Sequence, residues 1–335
     1  MNKWLEIEKE RRIAIVETIS NQTGLSAISV EKDWWVTMVL KALFSLPFAE
    51  YLSFKGGTSL SKCWSLIERF SEDVDIAIDR EYLGFGGELS KTQISDKLRR
   101  ASCAFTREVL IGELKTQMLD YGIDESLFSI RVNISAVTTV DPETLEIYYI
   151  SDYEEDSYIP KRVLIEVSGR SMSEPTEKVM INSIISNTYP ASSFSGNNFV
   201  VNAVSPKRTF LEKAFLLHEE FHRPDNEIRV NRMSRHLYDL EKLSETKIAE
   251  DALADAALYF SVVEHRRRFI GLKGFDYNTL HPRFISFVPP VNVAAKWKED
   301  YEKMRSSMIY GNSLPFETLI KRINMLNVRF RQVNV

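Results

Sequence analysis

The sequence predicts an α+β protein in two lobes: a mixed sheet with flanking helices, followed by a mainly helical C-terminal lobe. Three observations lead there. Short alternating segments such as Asp73–Ile78 and Arg162–Ser168 read as strands in the first half. From Lys207 onward apolar residues recur almost wholly at helical spacing. Between 170 and 205, Ser, Pro, Asn and Gly accumulate, which marks a change of lobe.

In chain order, residues 4–47 carry two helices, the second turning Trp34, Trp35, Met38, Val39 and Leu43 toward a core. Tyr51 to Phe54 is a short strand, and the glycine turn after it opens a helix on which Leu60, Cys63, Trp64 and Ile67 share a face. Asp73–Ile78 is the next strand, followed by the loop Gly84-Phe85-Gly86-Gly87. A helical stretch over 89–120 precedes strands over 129–140, 144–150 and 162–168, and the acidic run Asp152–Asp156 reads as a solvated hairpin tip. Helices then fall over 208–222, 232–245, 248–270, 291–307 and 315–328. The expected organisation is an N-terminal helical segment (1–50), a sheet core (51–170), a connecting segment (171–205) and the helical lobe (206–335).

Composition excludes several classes. With 335 residues, 44% hydrophobic and 27% charged, the chain can bury one large core or two smaller ones. A net charge of −4 argues against a surface coated uniformly for nucleic acid, so any RNA contact uses local basic patches. Two cysteines make no disulfide framework. The charged first residues have no apolar signal region and no run reaches the length of a membrane span, so a cytoplasmic protein that does not engage a membrane is expected.

The chemistry concentrates in residues 54–78. Lys55-Gly56-Gly57-Thr58-Ser59 is a small-residue turn at a helix start, with Thr58 or Ser59 as N-cap. Two glycines let the backbone approach an anion, and free N–H groups and hydroxyls supply donors, so the turn suits phosphate. In the strand that follows, Asp73 and Asp75 project from one face, about 6.5 Å apart along the chain. Two hard carboxylates so placed can clamp Mg²⁺, with Mn²⁺ as a substitute. Either half alone is more often a plain turn or a solvated edge. Together they read as a nucleotidyl-transfer site, in which a metal held by Asp73 and Asp75 offsets charge on a triphosphate gripped by Gly56, Gly57, Thr58 and Ser59. Lys55 and Arg69 flank the motif and either touch phosphate or pair with Glu72. Glu166 sits in the apolar run Val163–Val167 and needs a partner. That partner is an arginine, Arg162 or Arg170, or else the metal site.

These residues resemble the AbiEii/AbiGii-type nucleotidyltransferase toxins of the DNA polymerase β-like superfamily. The resemblance rests on Phe54–Leu60, Arg69–Ile76 and Glu31-Lys32-Asp33-Trp34-Trp35, and continues in Phe210–Lys213, Ser234–Leu240 and Trp297–Arg305. It implies a polymerase β-like sheet, a Mg²⁺-dependent toxin of a toxin–antitoxin or phage-defence system, and an antitoxin encoded alongside. It also implies transfer of a nucleotide from an NTP to an acceptor that can be tRNA. By the same resemblance Lys213 lies against the triphosphate, Asp239 positions Lys213 or the nucleotide, and Glu166 is the third acid of the site. Without it, Lys213 reads as a surface lysine and Asp239 as the partner of Arg235 in one helix.

Other readings stay open. The same phosphate grip serves AMPylation or phosphorylation of a protein, or a non-catalytic nucleotide-binding module. His218-Glu219-Glu220-Phe221-His222 matches H-E-x-x-H, which on a helix places two imidazoles for zinc, with Glu241 or Glu245 as a third ligand of a metalloprotease. Arg229, Arg232, Arg235 and Arg266-Arg267-Arg268 are the candidate RNA-facing groups or, equally, a solvated helix face.

Overall fold

The computed structural model describes residues 3–71, 73–133, 143–154 and 159–333. The chain forms two compact units, Met1–Cys63 with Phe70–Val204, and Trp64–Arg69 with Ser205–Val335.

The first unit is built on a seven-stranded mixed sheet. Its strands are β1 (Leu52–Lys55), β2 (Asp73–Ile78), β3 (Phe128–Asn133), β4 (Glu143–Tyr149), β5 (Arg162–Ser168), β6 (Thr176–Ile181) and β7 (Phe199–Val204), in the order β3-β4-β5-β2-β1-β7-β6. β2 runs parallel to β5 and antiparallel to β1. Alternation decides the faces: Val74, Ile76, Leu145, Ile147, Val163, Ile165 and Val167 are buried on one side, while Asp73, Asp75 and Glu166 are half-exposed on the other. Against the buried side packs α2 (Ala27–Leu43), whose start is fixed by Ser26, its hydroxyl accepting from the Ser29 N–H at 3.2 Å. Trp35 of α2 stacks on Tyr149 at 4.9 Å.

The Glu31-Lys32-Asp33 triplet of α2 is buried and ties this helix to the loop residues Ser151, Asp152 and Pro160 and to two helix ends, Lys62 and Ile184. Glu31 accepts from Ser151 Oγ and the Asp152 N–H, Lys32 donates to the Pro160 carbonyl, and Asp33 accepts from Lys62 Nζ and the Ile184 N–H. Asp152 is therefore no solvated tip. It also forms a two-bond pair with Arg12, 2.8 Å on each side. Residues 155 and 156 of the acidic run, and 134–140 of the strand expected over 129–140, lie outside the described residues.

The stretch 171–205 differs from the expected connection, because β6, α6 (Ile184–Thr188) and β7 fall within it and extend the sheet from β1. Its polar composition reflects an edge: Thr176, Glu177 and Lys178 of β6 are all exposed.

The second unit is helical, with α7 (Pro206–Phe221) as its buried axis and α8 (Arg235–Ser244), α9 (Lys247–Ala254) and α10 (Ala256–His265) packed against it. Pro206 at its first position lacks the N–H that would otherwise be unpaired there. Phe210, Leu211, Ala214, Phe215 and Leu217 are fully buried, each larger side chain contributing about 1.5–3 kcal/mol. α11 (Val291–Ser307) and α12 (Phe316–Arg331) complete the unit.

Candidate active site

In the sheet unit, the chain passes from β1 directly into α3 (Gly56–Lys62), so the helix begins at Gly56 and not at Thr58 or Ser59. Gly56 has a φ of 78° and the reason is steric: a Cβ there would collide with Asp75 Oδ2. The glycine turn and the carboxylate strand, expected to cooperate, are thus in direct contact. Gly57 follows in the first turn of α3. Thr58 and Ser59 lie inside the helix with their hydroxyls already engaged. Thr58 donates to the Asp73 carbonyl at 2.5 Å and can accept from the Ser71 hydroxyl at 2.9 Å, and Ser59 donates to the Gly56 carbonyl at 3.0 Å. Both hydroxyls therefore brace the turn and its strand.

Sheet register supplies the rest. Asp75 is paired across β1 with Lys55 and across β5 with Glu166, so Lys55, Asp75 and Glu166 form one row on the open face. Glu166 thereby stands next to Asp75. Arg162, one of its candidate partners, forms an ion pair with Glu146. Lys55 Nζ donates to Ser171 Oγ at 3.2 Å. Among the described residues, no three His, Cys, Asp or Glu side chains form a closed metal cage. A Mg²⁺ site shared with substrate does not need one, since the ion keeps waters and takes one or two carboxylates plus phosphate oxygens.

In the helical unit, Lys213 and Asp239 meet. Lys213 Nζ lies 2.7 Å from Asp239 Oδ2, and Arg69 Nε lies 2.7 Å from Asp239 Oδ1, all three side chains being buried. Burial works against ionisation of Asp239, but Arg69 and Lys213 outweigh it and hold the carboxyl well below its usual range. Burial lowers the Lys213 pKa, Asp239 opposes this, and Arg69 adds to it. The structure places Arg69 on Asp239, where it and Lys213 leave the cluster with more positive than negative charge; Glu72, its other expected partner, lies outside the described residues. His236 of the same helix as Asp239 is kept neutral, first by burial and then by Lys213 and Arg235, and its Nδ1 has no hydrogen-bond partner among the described residues.

A family of nucleotidyl transferase toxins, AbiEii of type IV toxin–antitoxin systems, matches residues 39–322. The chain belongs to this family. Nucleotidyl transfer is therefore the activity class of this AbiEii-family chain. No curated protein matches it. Among solved structures it is similar to JHP933 from Helicobacter pylori, at 14% identity and a TM-score of 0.45, covering 92% of this chain and 94% of that one. It is also similar to a nucleotidyltransferase from H. pylori, at 14% identity and a TM-score of 0.47, covering 92% and 96%. MenT4, a nucleotidyltransferase toxin from Mycobacterium tuberculosis, aligns at 16% identity and a TM-score of 0.43, over 97% of this chain and all (100%) of that one.

The H-E-x-x-H reading of this AbiEii-family chain gives way on geometry. His218 is fully buried, with Nδ1 3.0 Å from the Ser286 carbonyl and Nε2 2.9 Å from Thr279 Oγ1, so both ring nitrogens are engaged. Burial and the neighbouring His222 push its pKa down to about 3. Glu219, which would have to be the general base, holds Arg266 through two bonds of 2.6 and 2.5 Å. The motif is a packing device. Arg266 is consequently internal, which removes it from the RNA-facing set, whereas Arg229 is exposed and pairs with Glu220 at 2.6 Å. Among the described residues no helix is long and apolar enough to cross a membrane.

Proposed function

We propose that this protein transfers a nucleotide from an NTP to a hydroxyl of tRNA, and that an antitoxin or its regulatory function restrains this toxin. The observation that carries the reaction is the row Lys55–Asp75–Glu166 with the Gly56 backbone pressed against Asp75. Asp73 and Asp75 offer half-exposed hard oxygens suited to Mg²⁺, or to Mn²⁺ in its place. The ion, when bound, would offset negative charge on the phosphoryl oxygens. Glu166 is suited to take the proton of the attacking hydroxyl, being beside Asp75 yet half-exposed. The backbone of Gly56, Gly57, Thr58 and Ser59, with Lys55, would hold the phosphates. Lys213 would add fixed positive charge against the triphosphate, oriented by the buried carboxylate of Asp239.

The test is to incubate the purified protein and Mg²⁺ with each labelled triphosphate, total cellular RNA and total protein. Label on a discrete tRNA band is expected. Label on a protein band would replace the acceptor by a protein hydroxyl, and no label with any triphosphate would sink the reaction.

A further inference from the structure

The open face of the sheet does not end at the carboxylates. Register carries the row of Asp73 across Leu164 of β5 and Glu146 of β4 to Arg131 of β3, three strand spacings or about 14 Å away. One step along the same face, Arg162, Tyr148 and Ser129 form the adjoining row. Polar side chains here are exposed or half-exposed, apart from the buried Glu146, whereas on the opposite face β4 and β5 are core and Ile130 and Val132 of β3 are half-buried.

Two groups stand out on this face. The exposed Arg131 guanidinium lies over the Tyr148 ring, 5.0 Å from its centroid, and forms no ion pair among the described residues. Glu146, its cross-strand neighbour, is instead committed to Arg162 and accepts from the Tyr148 hydroxyl at 2.7 Å. The patch thus keeps an excess positive charge beside a ring held at a fixed tilt by its hydroxyl. A planar cation layered on an aromatic ring, continuous with a carboxylate site, suits unpaired bases that stack and phosphates that need a counter-charge.

We propose that this face, from Asp73 and Asp75 to Arg131 and Tyr148, is the track along which the RNA acceptor strand lies while presenting its hydroxyl. This rests on the transfer to tRNA proposed above and assigns the residues that grip the acceptor. Leu164 supplies an apolar floor between the two ends of the track, and a base stacks on the Arg131–Tyr148 layer.

The experiment uses the full chain, labelled triphosphate and total bacterial tRNA, with transfer kinetics and, separately, binding of fluorescent tRNA without turnover. Arg131→Ala and Tyr148→Ala should each raise the KM for tRNA, and weaken its binding, by about fivefold to a hundredfold. The KM for the triphosphate should shift by less than about twofold, because the phosphate grip is at the other end of the track. Tyr148→Phe should restore near-wild-type acceptor KM, since the stacking ring remains while the hydrogen bond to Glu146 is lost; a merely structural role would follow the hydrogen bond. An unchanged tRNA affinity and KM in both alanine variants would overturn the track. If wild-type protein transfers no label to RNA but loses tRNA binding in these variants, the track stands and the reaction falls. Label appearing on protein, with no tRNA binding, removes both.

Discussion

The strand Asp73–Ile78 and the helix segment His218–His222 both carry metal-ligand spacing, and the structure separates them by burial and by register. Asp73 and Asp75 are half-exposed, aligned by register with Lys55 and Glu166, and backed by a glycine that cannot be anything else. His218 and Glu219 are buried and used up: two ring nitrogens on Thr279 and Ser286, two carboxylate oxygens on Arg266. Ligand spacing is a necessary condition for chemistry. Access is the deciding one, because a buried group whose lone pairs and charge are satisfied inside the fold must lose those bonds before it can act, whereas a half-exposed carboxylate faces solvent and ligand.

The largest effect that would sharpen this contrast is on turnover. Asp73→Asn and Asp75→Asn should each reduce transfer by roughly 10³-fold or more, since each removes negative charge from the proposed metal site. Melting temperatures should stay near wild type, because neither carboxylate is core. Wild-type-like turnover in either variant, with Mg²⁺ as the divalent ion, would erase the difference between the two motifs.

Glu219 should behave in the opposite way. Glu219→Ala strands the Arg266 guanidinium in the core, and breaking a buried pair from one side costs about 3–5 kcal/mol. Urea melts should show that loss. In cells overproducing the protein without antitoxin, the milder Glu219→Gln should still arrest growth, whereas Lys213→Ala should relieve the arrest, with blots confirming expression of both. Growth restored by Glu219→Gln and arrest retained by Lys213→Ala would reverse the assignment.

The contrast also explains what the sequence could disclose. β2 and β5 were legible with their bounds because alternation of acid and aliphatic residues is local. The Glu166 position beside Asp75 was legible as an acid in an apolar run, but its neighbour is set by parallel pairing across ninety or so residues, which no periodicity encodes. Arg69 reaches Asp239 over a separation of 170 residues, and His218 reaches Ser286 over 68, so neither partnership leaves a local signal. β6 carries little signal because an exposed edge strand such as Thr-Glu-Lys-Val-Met-Ile shows only one apolar end, and the apolar β7 is obscured by the Ser-, Asn- and Gly-rich residues before it. The Arg131–Tyr148 layer is likewise a product of register, its two residues lying on different strands.

A smaller effect separates the regions by pH. The folded-state pKa of His218, about 3, lies below the ordinary 6.5, so the fold binds the neutral ring. Its contribution is complete above pH 6.5 and is lost as pH falls from there toward 3. Between pH 7 and 5 that amounts to about 2 kcal/mol. His236, lowered by burial and its cationic neighbours, adds a loss of the same sign. Urea melts at pH 7, 6 and 5 should therefore show a shallower acid decline for His218→Gln than for wild type; equal slopes would mean that His218 is not held neutral.

The smallest expected effect distinguishes two neighbours within the turn itself. Ser59 Oγ donates only to the Gly56 carbonyl one turn back, whereas Thr58 Oγ1 bonds the Asp73 carbonyl on the strand that carries the carboxylates. Ser59→Ala should leave the strand in place and loosen the start of α3, where the backbone N–H groups are proposed to hold the phosphates. The result should be a rise of a few fold in triphosphate KM, matching the loss of about 1 kcal/mol for one hydrogen bond, with kcat close to wild type. Thr58→Val removes a bond to the strand of the proposed metal carboxylates and should lower kcat more than it raises KM, because it shifts Asp73 and not the proposed phosphate turn. Steady-state kinetics on the two variants read this split directly. If both change KM alone, Thr58 belongs to the phosphate grip; if both change kcat alone, the turn is a brace for the carboxylates and its hydroxyls have no part in holding the triphosphate.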